Sequence, residues 1–82
     1  MKTFEYKGQT NHLIELSEGV FVSYENIVKN LKKLGPWKLF IIKRFSANGE
    51  PLLDYIPNNS KNIFKHPKVR PLTKIFHPEY LI

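Results

Sequence analysis

The sequence predicts a small single α+β domain, in which an antiparallel sheet packs against one amphipathic helix. Three observations lead to this prediction. A chain of 82 residues suffices for one hydrophobic core and no more. Strand-like alternation of apolar residues precedes residue 17 and returns after residue 36, with helical periodicity between them. Finally, 41% of the residues are hydrophobic and 13% aromatic, which provides the apolar surface that a packed core requires.

An N-terminal hairpin is predicted by two stretches of alternation, residues 2–7 and 12–16. Aromatic or aliphatic side chains alternate with polar ones in both stretches. The polar segment 8–11 between them is expected to form the loop. Residues 20–22 are β-branched and aromatic, and they are expected to extend the sheet by a short strand.

One helix is predicted over about residues 24–34. Ser23 suits an N-cap, Glu25 lies in the first turn, where the helix dipole favours an anion, and Gly35-Pro36 supplies a stop signal. The apolar positions recur at helical spacing and predict the buried face: Tyr24, Ile27, Val28, Leu31 and Leu34. The polar positions predict the solvent face: Asn26, Lys29, Asn30, Lys32 and Lys33.

A second hairpin is predicted over residues 37–56, because Asn48-Gly49 favours a two-residue turn between apolar stretches. That turn places Lys43 opposite Asp54, an attractive cross-strand pair. The face expected to pack on the helix carries Trp37, Leu39, Ile41, Phe45, Leu52 and Ile56. The face expected to stay partly open carries Lys38, Phe40, Ile42, Arg44, Leu53 and Tyr55.

Residues 57–82 are expected to form a proline-rich, partly irregular C-terminal arm laid over the body of the domain. Four prolines in this stretch disfavour a long helix, because each one biases the preceding residue away from helical geometry. Ser60 is expected to cap a short turn through residues 63–65, and Pro71 to begin another through residue 76.

Several classes of chemistry are excluded by what the sequence lacks. It contains no cysteine, which excludes disulfides, zinc thiolates and thiol catalysis. The glycines are too scattered for a phosphate-binding loop, and His12, His66 and His77 match no metal-ligand spacing. We therefore expect no cofactor and no metal. The charged N-terminus does not resemble a secretory signal, and no apolar run approaches the length of a membrane span, so we expect a cytoplasmic protein.

The charge distribution is the most informative feature of the sequence. The net charge is +6, from 13 Lys and Arg against 7 Asp and Glu. Residues 1–28 hold two lysines and four glutamates, residues 29–74 hold eleven basic and two acidic residues, and residues 75–82 add one glutamate. Lys29 and Lys33 stand one helical turn apart, a like-charge spacing that costs an isolated helix roughly 0.2–0.5 kcal/mol. The basic stretch therefore indicates a surface for an anionic partner.

Basic side chains interleaved with aromatic ones suit nucleic acid, because cations neutralise phosphates while rings stack on exposed bases. The alternative is that the lysines merely solvate a surface and that the aromatic rings belong to the core. The candidate partner-binding residues are Lys29, Lys32, Lys33, Lys38, Phe40, Arg44, Tyr55, Lys61, Lys65, Lys68, Arg70 and Lys74.

Three functions are compatible with these patterns. The first is a non-catalytic protein that binds nucleic acid or a nucleic-acid-associated complex through the basic stretch. The second is a small viral or mobile-element protein that inhibits or adapts a host protein through an acidic surface of that host protein. The third is a small ribonuclease that uses His66 and His77, because a site built from histidine, lysine and tyrosine needs no short motif.

Overall fold

The computed structural model describes residues 2–33, 37–56 and 62–82, and it confirms the predicted α+β architecture. Five strands form one antiparallel sheet in the order β1-β2-β3-β4-β5, so each strand pairs with its neighbour in sequence. The strands are β1 (Thr3–Tyr6), β2 (Gln9–Ser17), β3 (Val20–Ser23), β4 (Phe40–Phe45) and β5 (Pro51–Tyr55). The helices are α1 (Tyr24–Leu31), α2 (Asn62–Lys65) and α3 (Arg70–Phe76), followed by a 3₁₀ helix (Pro78–Leu81).

The first hairpin has a tighter turn than the sequence predicted. Only Lys7 and Gly8 connect β1 to β2, and both have positive φ, 51° and 78°, as in a type I′ turn. Gly8 adopts this backbone without the steric cost that a Cβ would add. The predicted four-residue loop is therefore wrong, because β2 already begins within it, at Gln9.

Helix α1 begins where the sequence indicated. The Ser23 hydroxyl accepts a hydrogen bond from the Asn26 backbone N–H at 3.0 Å, which caps the helix, and Glu25 occupies the first turn. The helix ends at Leu31, earlier than predicted, with Lys32 as its C-cap. The predicted stop signal at residues 35–36 lies outside the described residues.

The two faces of α1 differ from the predicted ones at two positions. Ile27 and Leu31 are buried as expected, but Tyr24 is 43% exposed. Asn30, which the periodicity placed in solvent, is only 1% exposed. Asn30 is tolerated there because its amide makes hydrogen bonds to neighbouring backbone, which satisfies a polar group that burial would otherwise penalise.

The predicted register of the second hairpin is wrong. Phe40 faces Tyr55 and Ile41 faces Asp54, and the register then shifts by one residue so that Arg44 faces Leu52. The physical reason is a five-residue loop, 46–50, in place of a two-residue turn. The Ser46 backbone N–H donates to the Glu50 carbonyl at 2.7 Å, and Ser46 also accepts from the Gly49 N–H at 2.9 Å. Lys43 therefore does not face Asp54, whose carboxylate instead lies 3.9 Å from Arg44.

The curled sheet separates two hydrophobic clusters. The cluster on the helix side contains Val22, Ile27, Leu31, Leu39, Ile63, Phe64 and Val69. The cluster on the opposite side of the sheet contains Leu13, Phe21, Phe40 and Ile42. The face of the second hairpin that was expected to stay open thus contributes buried Phe40 and Ile42. In contrast, Phe45 and Leu52, which were expected to pack on the helix, are 44% and 39% exposed.

The C-terminal residues 62–82 fold as short helices against the helix-side cluster. Phe64, Val69 and Thr73 are buried, and the Thr73 hydroxyl donates to the Phe64 carbonyl at 2.8 Å, which ties α3 to α2. Pro71 lies in the first turn of α3, as predicted. The predicted cap at Ser60 lies outside the described residues.

Candidate anion-binding cleft

A cleft of about 310 Å³ opens between α1, the β1–β2 turn and the paired strands β4 and β5. Its lining combines cationic, amide and aromatic side chains with one carboxylate. The lining residues are Tyr6, Lys7, Gln9, Asn11, Glu25, Asn26, Lys29, Asn30, Lys33, Lys38, Phe40 and Tyr55. Four lysines against a single glutamate make this cleft electropositive.

The lysines reach the cleft from three different segments. Lys29 lies on α1 and Lys33 just beyond its C-cap, Lys38 lies two residues before β4, and Lys7 lies in the first hairpin turn. Among the described residues, the ion pairs within 4.0 Å are His12–Glu25, Arg44–Asp54 and His77–Glu79, and none of them involves a cleft lysine. The cleft lysines are therefore not ion-paired with any carboxylate from the described part of the chain.

Two buried or half-buried asparagines fix the backbone beside the cleft. Asn30 accepts a hydrogen bond from the Lys38 N–H at 2.6 Å and donates to the Lys38 carbonyl at 3.2 Å. One helical turn earlier, Asn26 donates to the same carbonyl at 3.1 Å and accepts from the Phe40 N–H at 3.3 Å. These amides pair with the chain much as a neighbouring strand would. They hold Lys38 and Phe40 at a fixed position next to α1.

A third buried asparagine connects the helix cap to β2. The Ser23 hydroxyl donates to the Asn11 side-chain carbonyl at 2.6 Å, and the Asn11 amide donates to the Gln9 carbonyl at 3.1 Å. Ser23 also caps α1, so the start of the helix and the wall of the cleft belong to one hydrogen-bonded network. No buried side-chain nitrogen or oxygen in the described residues lacks a partner. The network is therefore fully satisfied, which favours a rigid cleft wall.

Glu25, the one carboxylate of the lining, is engaged by His12. One oxygen accepts from the His12 backbone N–H and the other lies near its Nδ1, both at 2.6 Å. Partial burial raises the pKa of Glu25, but the hydrogen bonds from the His12 backbone and ring outweigh it, so the pKa lies below its ordinary value. Glu25 thus holds α1 to β2 and has its own cationic partner when His12 is protonated.

Three aromatic rings form one side of the cleft. The ring centroids of Tyr6 and Phe40 are 6.4 Å apart, and those of Phe40 and Tyr55 are 6.2 Å apart, with tilted or edge-on geometry. A hydrogen bond with Tyr6 raises the pKa of Tyr55 above its ordinary value, and partial burial adds to this effect. Because Tyr6 belongs to β1 and Tyr55 to β5, this contact brings the two edge strands of the curled sheet together at the cleft.

Of the predicted partner-binding residues, the cleft brings together Lys29, Lys33, Lys38, Phe40 and Tyr55. The other candidates lie elsewhere. Lys32 extends away, with its Nζ 5.5 Å from the centre of the Phe76 ring, and Arg44 lies near Asp54 on the second hairpin. Exposed positions on the C-terminal segment hold Lys65, Lys68, Arg70 and Lys74. Lys61 lies outside the described residues.

Sequence reasoning missed the cleft residues that the first hairpin and the polar side of α1 provide. The missed residues are Tyr6, Lys7, Gln9, Asn11, Glu25, Asn26 and Asn30. The sequence shows asparagines at one-turn spacing on α1, but helical periodicity predicts that they face solvent, because nothing local indicates that a strand passes beside them. Tyr6 and Lys7 lie in the acidic N-terminal segment, and only the curl of the sheet brings them to the basic residues.

The histidines considered for catalysis do not line the cleft. The His77 ring lies 2.6 Å from the Leu31 carbonyl through Nε2 and 2.7 Å from Glu79 through Nδ1. The hydrogen bond from His77 lowers the pKa of Glu79. His66 accepts from the Lys68 backbone N–H at 3.1 Å. In the structure, His77 thus connects the end of α1 to the C-terminal segment, and His66 stabilises the local turn between α2 and α3.

Across the described ranges, His, Asp and Glu side chains form no group of three that could hold a metal ion. The longest helix there, α1, has eight residues, and none of the helices is long and apolar enough to cross a membrane. Comparisons with protein-family models, with curated proteins and with solved structures found no match for this chain. The functional assignment therefore depends on the geometry and charge of the cleft.

Proposed function

We propose that this chain is a non-catalytic binding protein that engages a negatively charged partner, with nucleic acid favoured, through the cleft beside α1. One observation carries the proposal: Lys29, Lys33 and Lys38 converge on one concavity, and no carboxylate of the described residues pairs with them. Like charges held close together repel, and an anion relieves that repulsion. Phosphate groups supply such an anion, and they release condensed counterions when they bind lysine.

The aromatic rings favour nucleic acid over a simple anion. Tyr6, Phe40 and Tyr55 lie in the same cleft as the lysines, and Tyr55 is 62% exposed. Cations that follow a phosphate backbone, together with rings that stack on bases, are the combination used by proteins that bind single strands. A small phosphorylated metabolite would use the lysines but would not require an exposed ring at the rim.

The proposal is tested by the salt dependence of binding. Affinity for a fluorescein-labelled 12-nucleotide single strand is measured by anisotropy over a salt series, for the parent and for the double variant Lys29→Gln/Lys33→Gln. Loss of two phosphate contacts lowers the slope of log affinity against log salt by roughly 1.4. The affinity at low salt falls together with the slope.

The matched control is Lys65→Gln/Lys68→Gln, which removes the same net charge from exposed positions outside the cleft. It is expected to change the slope by less than half as much as the cleft variant. Equal losses in the two variants would show that overall charge, and not the cleft, determines binding. Absence of binding by the parent at low salt would remove nucleic acid as the partner.

A protein partner is the second candidate, and exposed apolar side chains on the second hairpin favour it. Phe45 and Leu52 lie close to the loop that joins β4 to β5 and remain substantially exposed. Phe45 faces Pro51 whereas Leu52 faces Arg44, so the two apolar side chains lie on opposite faces of the hairpin, and each offers a separate apolar contact to a partner. A pull-down from nuclease-treated host lysate tests this candidate. Retention of one stoichiometric protein that Phe45→Ser weakens would support it, and loss of all partners after nuclease treatment would contradict it.

A further inference from the structure

The size of the cleft limits what part of a nucleic acid can enter it. Its volume of about 310 Å³ is near the lower end of the range for small-molecule sites. The cleft lysines surround a small concavity and do not form an extended ridge, so they contact one short stretch of backbone. A paired duplex presents its bases inside and its phosphates on a convex surface, which cannot enter such a concavity. An unpaired nucleotide can enter.

Tyr55 is the ring best placed to stack on a base. Phe40 is buried at the base of the cleft, and the ammonium group of Lys7 lies 5.4 Å from the centre of the Tyr6 ring. Tyr55, in contrast, is largely exposed and meets Phe40 edge-on, at an interplanar angle of 72°. The edge-on contact does not cover the ring face by parallel stacking. A base can therefore use that face, because every base presents a flat π-surface.

Three of the four amide side chains that line the cleft are already committed to the protein itself, and Gln9 is the fourth. Asn26 and Asn30 use their side-chain oxygens and nitrogens on the backbone of residues 38–40. Asn11 uses its own on Ser23 and Gln9. Reading a base requires free donors and acceptors aimed at its edge. The cleft wall therefore limits the shape of the nucleotide that can bind but discriminates little between bases.

We infer that the cleft binds one unpaired nucleotide of a single strand, with the base on Tyr55, the phosphate among Lys29, Lys33 and Lys38, and little preference for base identity. This inference rests on the proposed function, which it narrows from polyanions to single strands. Stacking of the base on Tyr55 and electrostatic attraction of the phosphate to the lysines both contribute to the binding affinity. The two contributions are separable, because salt weakens the second much more than the first.

The test uses three labelled probes at low salt: a 12-nucleotide strand of mixed sequence, its complement, and the duplex that the two form. The parent is expected to bind either strand at least tenfold more tightly than the duplex and to differ less than threefold between the strands. Tyr55→Leu removes the ring, and the affinity for both strands is expected to fall roughly 5- to 100-fold while duplex affinity stays unchanged. Tyr55→Phe keeps the ring but loses the hydrogen bond with Tyr6, so its affinity for both strands is expected to stay closer to that of the parent than to that of Tyr55→Leu.

The outcomes separate this inference from the proposed function. Equal affinity for duplex and strands, still lost in Lys29→Gln/Lys33→Gln, overturns the inference and leaves the proposed function standing. Failure of every probe to bind overturns both. A preference above threefold for one strand contradicts the lack of base readout, and an affinity of Tyr55→Leu equal to that of the parent contradicts the stacking role. Tyr55 is 62% exposed and belongs to β5, an edge strand of the sheet. The fluorescence of Trp37, which packs against the helix-side cluster, verifies that each variant is folded.

Discussion

Replacing Asn30 with alanine tests the hydrogen-bonded wall on which the cleft depends. The substitution removes the Asn30 hydrogen bonds to the Lys38 N–H, the Lys38 carbonyl and the Asn26 carbonyl. At about 1 kcal/mol each these three bonds amount to about 3 kcal/mol. The Lys38 carbonyl keeps a bond from Asn26, and the higher helix propensity of alanine offsets about 0.5–0.7 kcal/mol. The expected net loss is about 2 kcal/mol, against a total stability of roughly 4–12 kcal/mol for a chain of this length.

Urea denaturation followed by Trp37 fluorescence measures this loss. Trp37 is the single tryptophan, and its ring centroid lies 5.0 Å from that of Phe64, so its emission reports on the helix-side core. The midpoint is expected to fall by roughly 1–2 M for a small domain. Lys29→Ala is the control, because Lys29 is an exposed neighbour on α1 and should change stability by less than about 0.5 kcal/mol. A loss below about 1 kcal/mol for Asn30→Ala, or equal losses in both variants, would show that the Asn30 hydrogen bonds do not stabilise the cleft wall.

Three further predictions concern single contacts. Hydrogen bonds from His12 lower the pKa of Glu25 in the folded state, so ionised Glu25 contributes fully to the stability of the fold above the ordinary carboxyl pKa, and this contribution is lost as pH falls through the folded pKa. Below about pH 4.5, Glu25→Gln should therefore lose less stability than the parent as the pH falls. Parallel profiles of stability against pH would contradict this expectation. Thr73→Val should cost about 1–2 kcal/mol in urea denaturation, because it leaves the buried Phe64 carbonyl without its hydroxyl donor, whereas Thr73→Ser should cost less. Gly49 has φ of 86°, so Gly49→Ala should lower the free energy of unfolding by about 1 kcal/mol in urea denaturation, and Gly49→Asn should lower it by less. Equal losses in the two variants would show that the loop changes its backbone conformation to accept a side chain.

The elements that depend on local signals were predictable from the sequence. The N-cap at Ser23, the short strand over 20–22 and the proline-led α3 each follow from a few adjacent residues, and the structure contains all three, with the strand one residue longer than predicted. Local signals failed where loop length depends on specific hydrogen bonds. Ser46 closes a five-residue loop through its backbone, and this loop, together with the irregularity between Ile42 and Arg44, shifts the register away from the one that Asn48-Gly49 favoured.

The cleft was only partly predictable, because its walls come from residues far apart in the chain. Charge density selected Lys29, Lys33 and Lys38 but did not distinguish them from other basic candidates, such as Lys32 and Arg44, that lie outside the cleft. The contribution of Tyr6 could not be inferred, because it depends on the curl that brings β1 next to β5. The burial of Asn30 could not be predicted either, because helical periodicity identifies the apolar face of a helix but does not show that a backbone segment passes beside its polar face.

The most direct test of the central claim is to map the bound strand on the protein. ¹H–¹⁵N spectra of the labelled chain are recorded during titration with the 12-nucleotide single strand. We expect the largest shifts at the amides of Lys29, Lys33, Lys38 and Tyr55, with small changes in residues 65–74. Shifts concentrated in residues 65–74, with the cleft amides unmoved, would contradict it.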